Sequence, residues 1–155
     1  MTLYKSDDIN LLLPSFRERV KWVMSEMKDI HGHGPVLKDG LRTTVEALQN
    51  SKKGSGIVDS MHCYGCAADI ICGQHGWSCA MHDCRFYFLL GEVAEAYGLV
   101  WGGRWVRKDM PHVQGIPVRW QDRMRVLGMA KARVRERNAL CELWFAQQPK
   151  PKAAG

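Results

Sequence analysis

The first apolar pattern in the chain has the three- and four-residue spacing of an amphipathic helix. Its apolar positions are Phe16, Val20, Val23, Met27 and Ile30. Before them, Ser15-x-x-Glu18 has the form of a capping box, in which both side chains bind free backbone N–H groups at the helix start. We therefore expect a helix of about 14 residues that ends near Gly32.

Two further stretches have the same helical period. One runs through Phe86, Leu89, Leu90, Val93 and Tyr97, with Asp83 as its cap and Gly98 as its stop. The other extends from Val118 to about Phe145. Its apolar positions include Trp120, Met124, Val134, Cys141 and Trp144, and Asn138 interrupts the pattern.

Shorter apolar runs between the helices predict strands. They are Ile57–Val58, Ile70–Ile71, Leu99–Trp101 and His112–Gln114. Residues 31–41 contain three glycines and Pro35, which predicts a loop. Short strands mixed with helices indicate an α+β protein.

The chain is long enough for one domain with a hydrophobic core. It has 155 residues, of which 46% are hydrophobic, and two domains of ordinary size would need more. No apolar run approaches the roughly 20 residues that cross a bilayer. The acidic start at Asp7 and Asp8 is unlike a secretory signal, so we expect synthesis in the cytoplasm without a signal peptide.

Two short motifs carry residue types that bind zinc. They are Ser60-x-His62-x-x-Gly65-x-Ala67-x-Asp69 and Asp109-x-x-His112. A catalytic zinc uses three protein ligands and keeps one position open, whereas a structural zinc is closed by four. His62, Asp69 and His112 supply three ligands, and Asp109 remains as a candidate base for water. Because the chain has six histidines, a chance coincidence of His and Asp is the alternative.

At these positions the chain resembles the zinc D,D-peptidases. This family includes D-Ala-D-Ala carboxypeptidases and dipeptidases and the L-alanyl-D-glutamate endopeptidases that phages use as endolysins. The matching strings are Gly40-Leu41-Arg42-Thr43, Ser60-Met61-His62 through Asp69, Trp101-Gly102-Gly103-x-Trp105 and Asp109-x-Pro111-His112-x-Gln114. They occur in the family's order over about residues 14–118, and they are most similar to the endolysin branch.

The resemblance implies a hedgehog/D,D-peptidase-like fold, which is a small antiparallel sheet flanked by helices, here with an extra C-terminal helix. It also implies Zn²⁺ bound by His62, Asp69 and His112, with Asp109 as the general base. Arg42 would stabilise the oxyanion or grip a substrate carboxylate, and a surface pair with Glu46 is the alternative.

Two more residues acquire expected roles from the same resemblance. Ser60 would orient the site through a hydrogen bond. Trp105 would contact substrate, although Trp101 and Trp105 are both also candidates for the core.

The implied activity is hydrolysis of the peptidoglycan stem peptide by zinc-activated water, at the L-Ala-D-Glu bond, by an endolysin that a holin releases to the cell wall. A D-Ala-D-Ala dipeptidase or carboxypeptidase is the alternative enzyme. A zinc-binding nucleic-acid module is the alternative of another class, but the cysteines do not form two repeated Cys-x-x-Cys pairs. We expect a monomer that binds no nucleic acid stably.

We expect the catalytic domain at residues 1–118, a basic helical extension packed on it at residues 119–146, and a disordered tail at residues 147–155. The net charge is +6, and much of the excess lies in the extension. Its arginines form either a solvated helix face or a contact to the anionic bacterial envelope.

The six cysteines leave three interpretations open. Five of them lie close to the first metal motif and one lies far from it: Cys63, Cys66, Cys72, Cys79, Cys84 and Cys141. They could pack as small apolar side chains, form disulfides after export, or bind a second metal.

Overall fold

Strand pairing brings the two metal motifs together. The computed structural model of the chain describes residues 7–29, 34–41, 52–53, 60–77, 85–128 and 134–148. Its helices are α1 (Pro14–Asp29), α2 (Phe86–Ala96), α3 (Gln121–Gly128) and α4 (Val134–Ala146). Its strands are β1 (Pro35–Asp39), β2 (Ala67–Cys72), β3 (Val100–Trp101) and β4 (His112–Gln114). Short 3-10 helices lie at Ile9–Leu11, Met61–Tyr64, Gly102–Arg104 and Val118–Trp120.

The four strands form one antiparallel sheet in the order β1-β2-β4-β3. In the β2–β4 pair, Asp69 lies directly opposite His112 and Ala68 lies opposite Val113. The α+β class with a small antiparallel sheet is therefore confirmed. Because partners in register share one face of a sheet, the β2–β4 ladder places the two motif residues side by side.

Strand β1 contradicts the predicted loop over residues 31–41. Val36 and Leu37 pair with Ile71 and Ile70 of β2. Pro35 begins this edge strand, a position where the missing N–H of proline is tolerated. Two apolar residues between glycines are too short a run to reveal a strand by alternation. The predicted strand at Ile57–Val58 lies outside the described residues.

Helix α1 buries the predicted apolar face: Phe16, Val20, Val23 and Met27 are fully buried. The helix begins at Pro14, and Ser15 does not cap it as predicted. The backbone N–H and the hydroxyl of Ser15 instead donate to Oδ1 of Asn138, at 2.9 and 2.8 Å. A capping box needs only local sequence, whereas this contact joins α1 to α4 and could not be seen locally.

The C-terminal helices pack on the same core as the sheet. Helix α4 lies against α1 and α3, and Met124, Cys141 and Phe145 are buried. Asn138 lies inside α4 and does not interrupt it. The predicted tail is hydrogen-bonded at its first residues, because Gln147 N–H donates to Trp144 O at 3.0 Å, and residues 149–155 lie outside the described part.

Helix α2 ends as predicted, because Gly98 adopts the left-handed conformation that favours glycine, with φ of 79°. Its predicted cap, Asp83, lies outside the described residues. Across the part of the chain that the structure describes, none of the helices has the length and apolar character needed to span a bilayer.

Candidate metal centre

Three side chains from the sheet and one short helix converge at a single point. His62 lies in the 3-10 helix Met61–Tyr64, Asp69 in β2 and His112 in β4. Asp69 Oδ1 is 3.4 Å from His62 Nε2 and 3.4 Å from His112 Nδ1, and the three candidate ligand atoms lie within 4.8 Å of one another. Tetrahedral zinc with bonds of about 2.0–2.1 Å separates its ligand atoms by about 3.3 Å. The spacing therefore suits an ion of this size.

The tautomer of His62 is fixed by backbone. Its Nδ1 lies 2.7 Å from the carbonyl oxygen of Gly40. A carbonyl can only accept, so Nδ1 carries the proton and donates it. The lone pair of Nε2 then faces Asp69, which is the orientation that a metal ligand requires.

A buried glutamine has the same effect on His112. The Nε2 of His112 lies 2.8 Å from Oε1 of Gln114, and Gln114 Nε2 donates to the carbonyl of Ile116 at 2.8 Å. The second bond fixes the amide so that its oxygen accepts from His112. With its proton on Nε2, neutral His112 directs the Nδ1 lone pair at Asp69. Two lone pairs and a carboxylate then face one another, and a cation bound between them would relieve that repulsion.

The ionisation of the site follows from this geometry. Burial alone would raise the pKa of Asp69, but hydrogen bonds and charge from His112 and His62 hold that pKa well below its usual range. Burial likewise opposes charge on His112, but Asp69 raises the pKa of His112 above its ordinary value. The raised pKa of His112 favours a proton between this imidazole and the Asp69 carboxylate, and a metal ion bound there would displace it.

The small and polar residues of the first motif build the helix that carries His62. Ser60 is buried and its hydroxyl accepts from the backbone N–H of His62 at 3.2 Å. Gly65 ends the helix in the left-handed conformation, with φ of 70°. A Cβ on Gly65 would also lie 3.3 Å from the carbonyl oxygen of Leu11. Ser60 thus acts on the backbone of the motif and caps the helix start.

The Trp-Gly-Gly string supports the turn that carries Asp109 and His112. The indole N–H of buried Trp101 donates to the carbonyl of Met110 at 2.8 Å. A Cβ on Gly102 would lie 2.5 Å from Asp109 O and 3.1 Å from His112 Cβ, and a Cβ on Gly103 would overlap the Trp101 ring. Both glycines are therefore required by close approach, and Trp101 belongs to the core.

Asp109 occupies the solvent side of the site. Its Oδ2 lies 3.8 Å from His112 Nδ1, and its side chain is 50% exposed, whereas that of Asp69 is 13% exposed. Trp105 is half-buried, with its ring centroid 4.9 Å from that of His112. A buried carboxylate suited to binding an ion and an exposed one suited to proton transfer thus flank the same imidazole.

Sequence reasoning assigned no role to two groups of this site, the Gly40 carbonyl and Gln114. Gln114 could have been found, because residues i and i+2 of a strand share a face and it follows His112 by two. The Gly40 carbonyl has no signature in side-chain chemistry. Arg42 lies outside the described residues, so its role stays a prediction.

The part of the chain that carries this site is similar to known proteins. Residues 53–115, which include His62, Asp69, Asp109 and His112, match a family model described as D-alanyl-D-alanine carboxypeptidase. Among solved structures, the L-Ala D-Glu endopeptidase ChiX of Serratia marcescens is 20% identical with a TM-score of 0.52, and the match covers 74% of this chain and 87% of that one. This second likeness concerns the fold. No curated protein matches the sequence.

Proposed function

We propose that the chain is a zinc metallopeptidase of the family whose model matches residues 53–115, and that it cleaves the L-Ala-D-Glu bond of the peptidoglycan stem peptide. The convergence of His62 Nε2, Asp69 Oδ1 and His112 Nδ1 carries the proposal. The fold likeness to an L-Ala D-Glu endopeptidase supports the choice of bond.

In this proposal His62, Asp69 and His112 hold Zn²⁺. Bound zinc would act as a Lewis acid on the scissile carbonyl and would lower the pKa of a water molecule to about 7. The donor set fits this role, because two neutral imidazoles and one carboxylate leave the ion a net positive charge. Gly40 and Gln114 keep both imidazoles in the tautomer that binds a metal.

Asp109 is the general base of the proposed reaction. Its carboxylate takes a proton at Oδ2 as the water oxygen bonds to the carbonyl carbon, and it gives that proton to the leaving amine as the C–N bond breaks. Its exposure lets it reach both water and substrate. Trp101 and Gly102 contact the turn that carries Asp109 and keep it in place. Arg42 is the proposed partner of the oxyanion.

Trp105 is the proposed wall of the substrate groove. Its ring is tilted by 48° against the His112 ring and remains partly open to solvent. An aromatic side chain in this position can cover the apolar part of a peptide while water reaches the polar part.

Mass spectrometry of digested peptidoglycan tests the proposal. The zinc-loaded protein should release fragments with a new C-terminal L-Ala and a new N-terminal D-Glu, and Asp109→Asn should release far fewer. Removal of terminal D-Ala would support the carboxypeptidase activity after which the matching family model is described. Absence of both kinds of cleavage by the zinc-loaded protein would contradict the proposed function.

We also propose that the protein is a monomeric endolysin that reaches the wall by holin-type release. Expression in a bacterial cytoplasm should leave cells intact until a holin is co-expressed, and lysis should then follow. Lysis without the holin would show that another route delivers the protein.

A further inference from the structure

Two buried thiols lie in contact outside the metal centre. Cys66 immediately precedes β2 and Cys141 lies in α4, and their sulfur atoms are 3.2 Å apart. Both residues are fully buried. The two cysteines are 75 positions apart in sequence, so the contact joins the start of the Asp69 strand to the C-terminal helix.

A buried cation accompanies the pair. Arg137, one helical turn before Cys141, is 6% exposed. Burial lowers the pKa of Arg137, and Tyr64, Cys66 and Cys141 interact with its charge. The contact with Cys66 and burial raise the pKa of the Cys141 thiol, and the charge of Arg137 opposes that shift. The thiolate, which is the form of cysteine that attacks a disulfide, therefore forms more readily while the chain is unfolded and the thiol is exposed.

The glycine at position 115 leaves room for the sulfur of Cys66. The N–H of Gly115 donates to the carbonyl of Cys66 at 2.9 Å, and a Cβ on Gly115 would lie 2.6 Å from Cys66 Sγ. A larger residue at position 115 would therefore push the Cys66 sulfur from its place. Closing the gap from 3.2 Å to a disulfide bond length of about 2.05 Å requires a movement of about 1.1 Å.

We propose that Cys66 and Cys141 are an oxidisable pair that forms an intramolecular disulfide and fastens α4 to the start of β2. The oxidant is a low-molecular-weight disulfide or a disulfide-bonded oxidoreductase. One thiolate attacks the oxidant and releases its first thiol, and the second cysteine displaces the other. Two protein thiols become one S–S bond, and their two protons and two electrons pass to the oxidant, which becomes two thiols.

The disulfide would stabilise the fold without any contribution from zinc. It closes a loop of about 75 residues, and long loops lose the most conformational freedom in the unfolded chain when they are cross-linked. For a chain of this length we expect Tm to rise on the order of 5–15 °C. A protein folded under reducing conditions would lack this gain until it reached an oxidising compartment.

Oxidative refolding tests the proposal, because the oxidant can reach both thiols while the chain is unfolded. The full chain is refolded with reduced and oxidised glutathione, and non-reducing peptide mapping should find a Cys66–Cys141 linked peptide about 2 Da lighter than the sum of its two parts. That peptide should disappear on reduction. Recovery of both cysteines as alkylatable thiols, or of Cys66 linked to a different cysteine, would overturn the proposal.

Two variants supply the matched comparison. Cys141→Ser should lose both the linked peptide and the gain in Tm on oxidation, whereas Cys63→Ser, three residues from Cys66, should keep both. An equal gain in Tm in the two variants would overturn the assignment. If Cys141→Ser does not fold, alkylation of Cys66 and Cys141 in the unaltered chain decides the question by itself.

Discussion

Gln114 binds His112 through the Nε2 atom of the imidazole, at 2.8 Å, and so directs its Nδ1 atom towards Asp69. The glutamine is 1% exposed, and its amide orientation is fixed by the Ile116 carbonyl. Buried Gln114 is therefore a positioning residue of the proposed zinc site, although it contacts neither the ion nor the substrate.

Gln114→Met should lower zinc affinity by 10- to 100-fold, because the substitution keeps the volume but removes the acceptor that fixes the tautomer. Competition with a chromophoric chelator measures the change. Gln147→Met, at an exposed position, is the matched control and should bind zinc normally. Unaltered affinity in Gln114→Met would mean that β4 alone orients His112.

Replacement of a proposed ligand should remove the metal. His112→Ala is expected to lose stoichiometric zinc, because two remaining ligands hold the ion poorly. Elemental analysis of the purified protein measures the content. His75→Ala changes a histidine outside the three-residue cluster and should keep one zinc per chain, and a full zinc complement in His112→Ala would refute the ligand assignment.

Asp109→Asn should separate metal binding from catalysis. The amide keeps the size of the side chain and cannot accept the proton, so zinc should be retained while kcat/KM falls on the order of 100-fold or more. Zinc content and cleavage of a soluble stem peptide are measured on the same preparation. Near-normal turnover with zinc bound would assign the base to another group.

The metal-free protein should lose stability as pH rises. The pKa of His112 is raised in the folded chain, so its contribution is complete below the unfolded value of about 6.5 and is lost as pH rises through the folded value. The lowered pKa of Asp69 acts at the acidic end of the pH scale, and its contribution to stability is lost only in strong acid. Thermal unfolding of chelator-treated protein from about pH 6 to 9 measures the loss.

Asp69→Asn is the control for this pH profile and should be flatter, because the pairing that raises the pKa of His112 is absent. Zinc binding to the unaltered protein should release protons near neutral pH, which calorimetry in two buffers of different ionisation enthalpy detects. A metal-free Tm that is constant over this range would contradict the assigned proton on His112.

The exposed arginines of the extension should affect activity on cells alone. Arg119 lies over the Trp144 ring at 5.3 Å and Arg123 over the Trp120 ring at 5.0 Å, so both are held at the surface by cation–π contacts. Changing Arg119, Arg123 and Arg135 to glutamate should lower lysis of whole cells and leave cleavage of a soluble stem peptide intact. Equal losses in both assays would indicate a folding defect instead.

Arg137 does not belong to this charged face. In the sequence it is one of several late arginines, but in the structure it is buried in α4 beside Cys66 and Cys141. A charge reversal at Arg137 would therefore test folding and not envelope binding. The pattern of charges along a helix shows which positions are basic but not which of them face a neighbouring helix.

The sequence allowed much of this site to be predicted, because its chemistry depends on rare residue types. Motif spacing and family resemblance predict His62, Asp69, Asp109 and His112. The β2–β4 register pairs Asp69 with His112, and His62 and Asp109 lie within 4 Å of that pair. The acceptor at Gly40 and the cap from Asn138 to Ser15 were missed. Both depend on contacts between distant segments, which local periodicity does not encode.

The contact between two of the cysteines could not be predicted from local sequence either. Cys66 and Cys141 are far apart in sequence, and their contact depends on how α4 packs. Cys79 and Cys84 lie outside the described residues, so a second metal near them stays a prediction. Among the described residues, the metal-binding cluster found is His62, Asp69 and His112, which includes no cysteine.

The two imidazoles of the site differ in how they respond to mutation. His112 depends on the side chain of Gln114, which a single nucleotide change can alter, whereas His62 depends on a peptide carbonyl at position 40. Every amino acid supplies that carbonyl, so substitution at position 40 cannot delete the acceptor and can only move it. Point mutation can therefore remove the hydrogen-bond acceptor of His112, but it cannot remove that of His62, which belongs to the backbone.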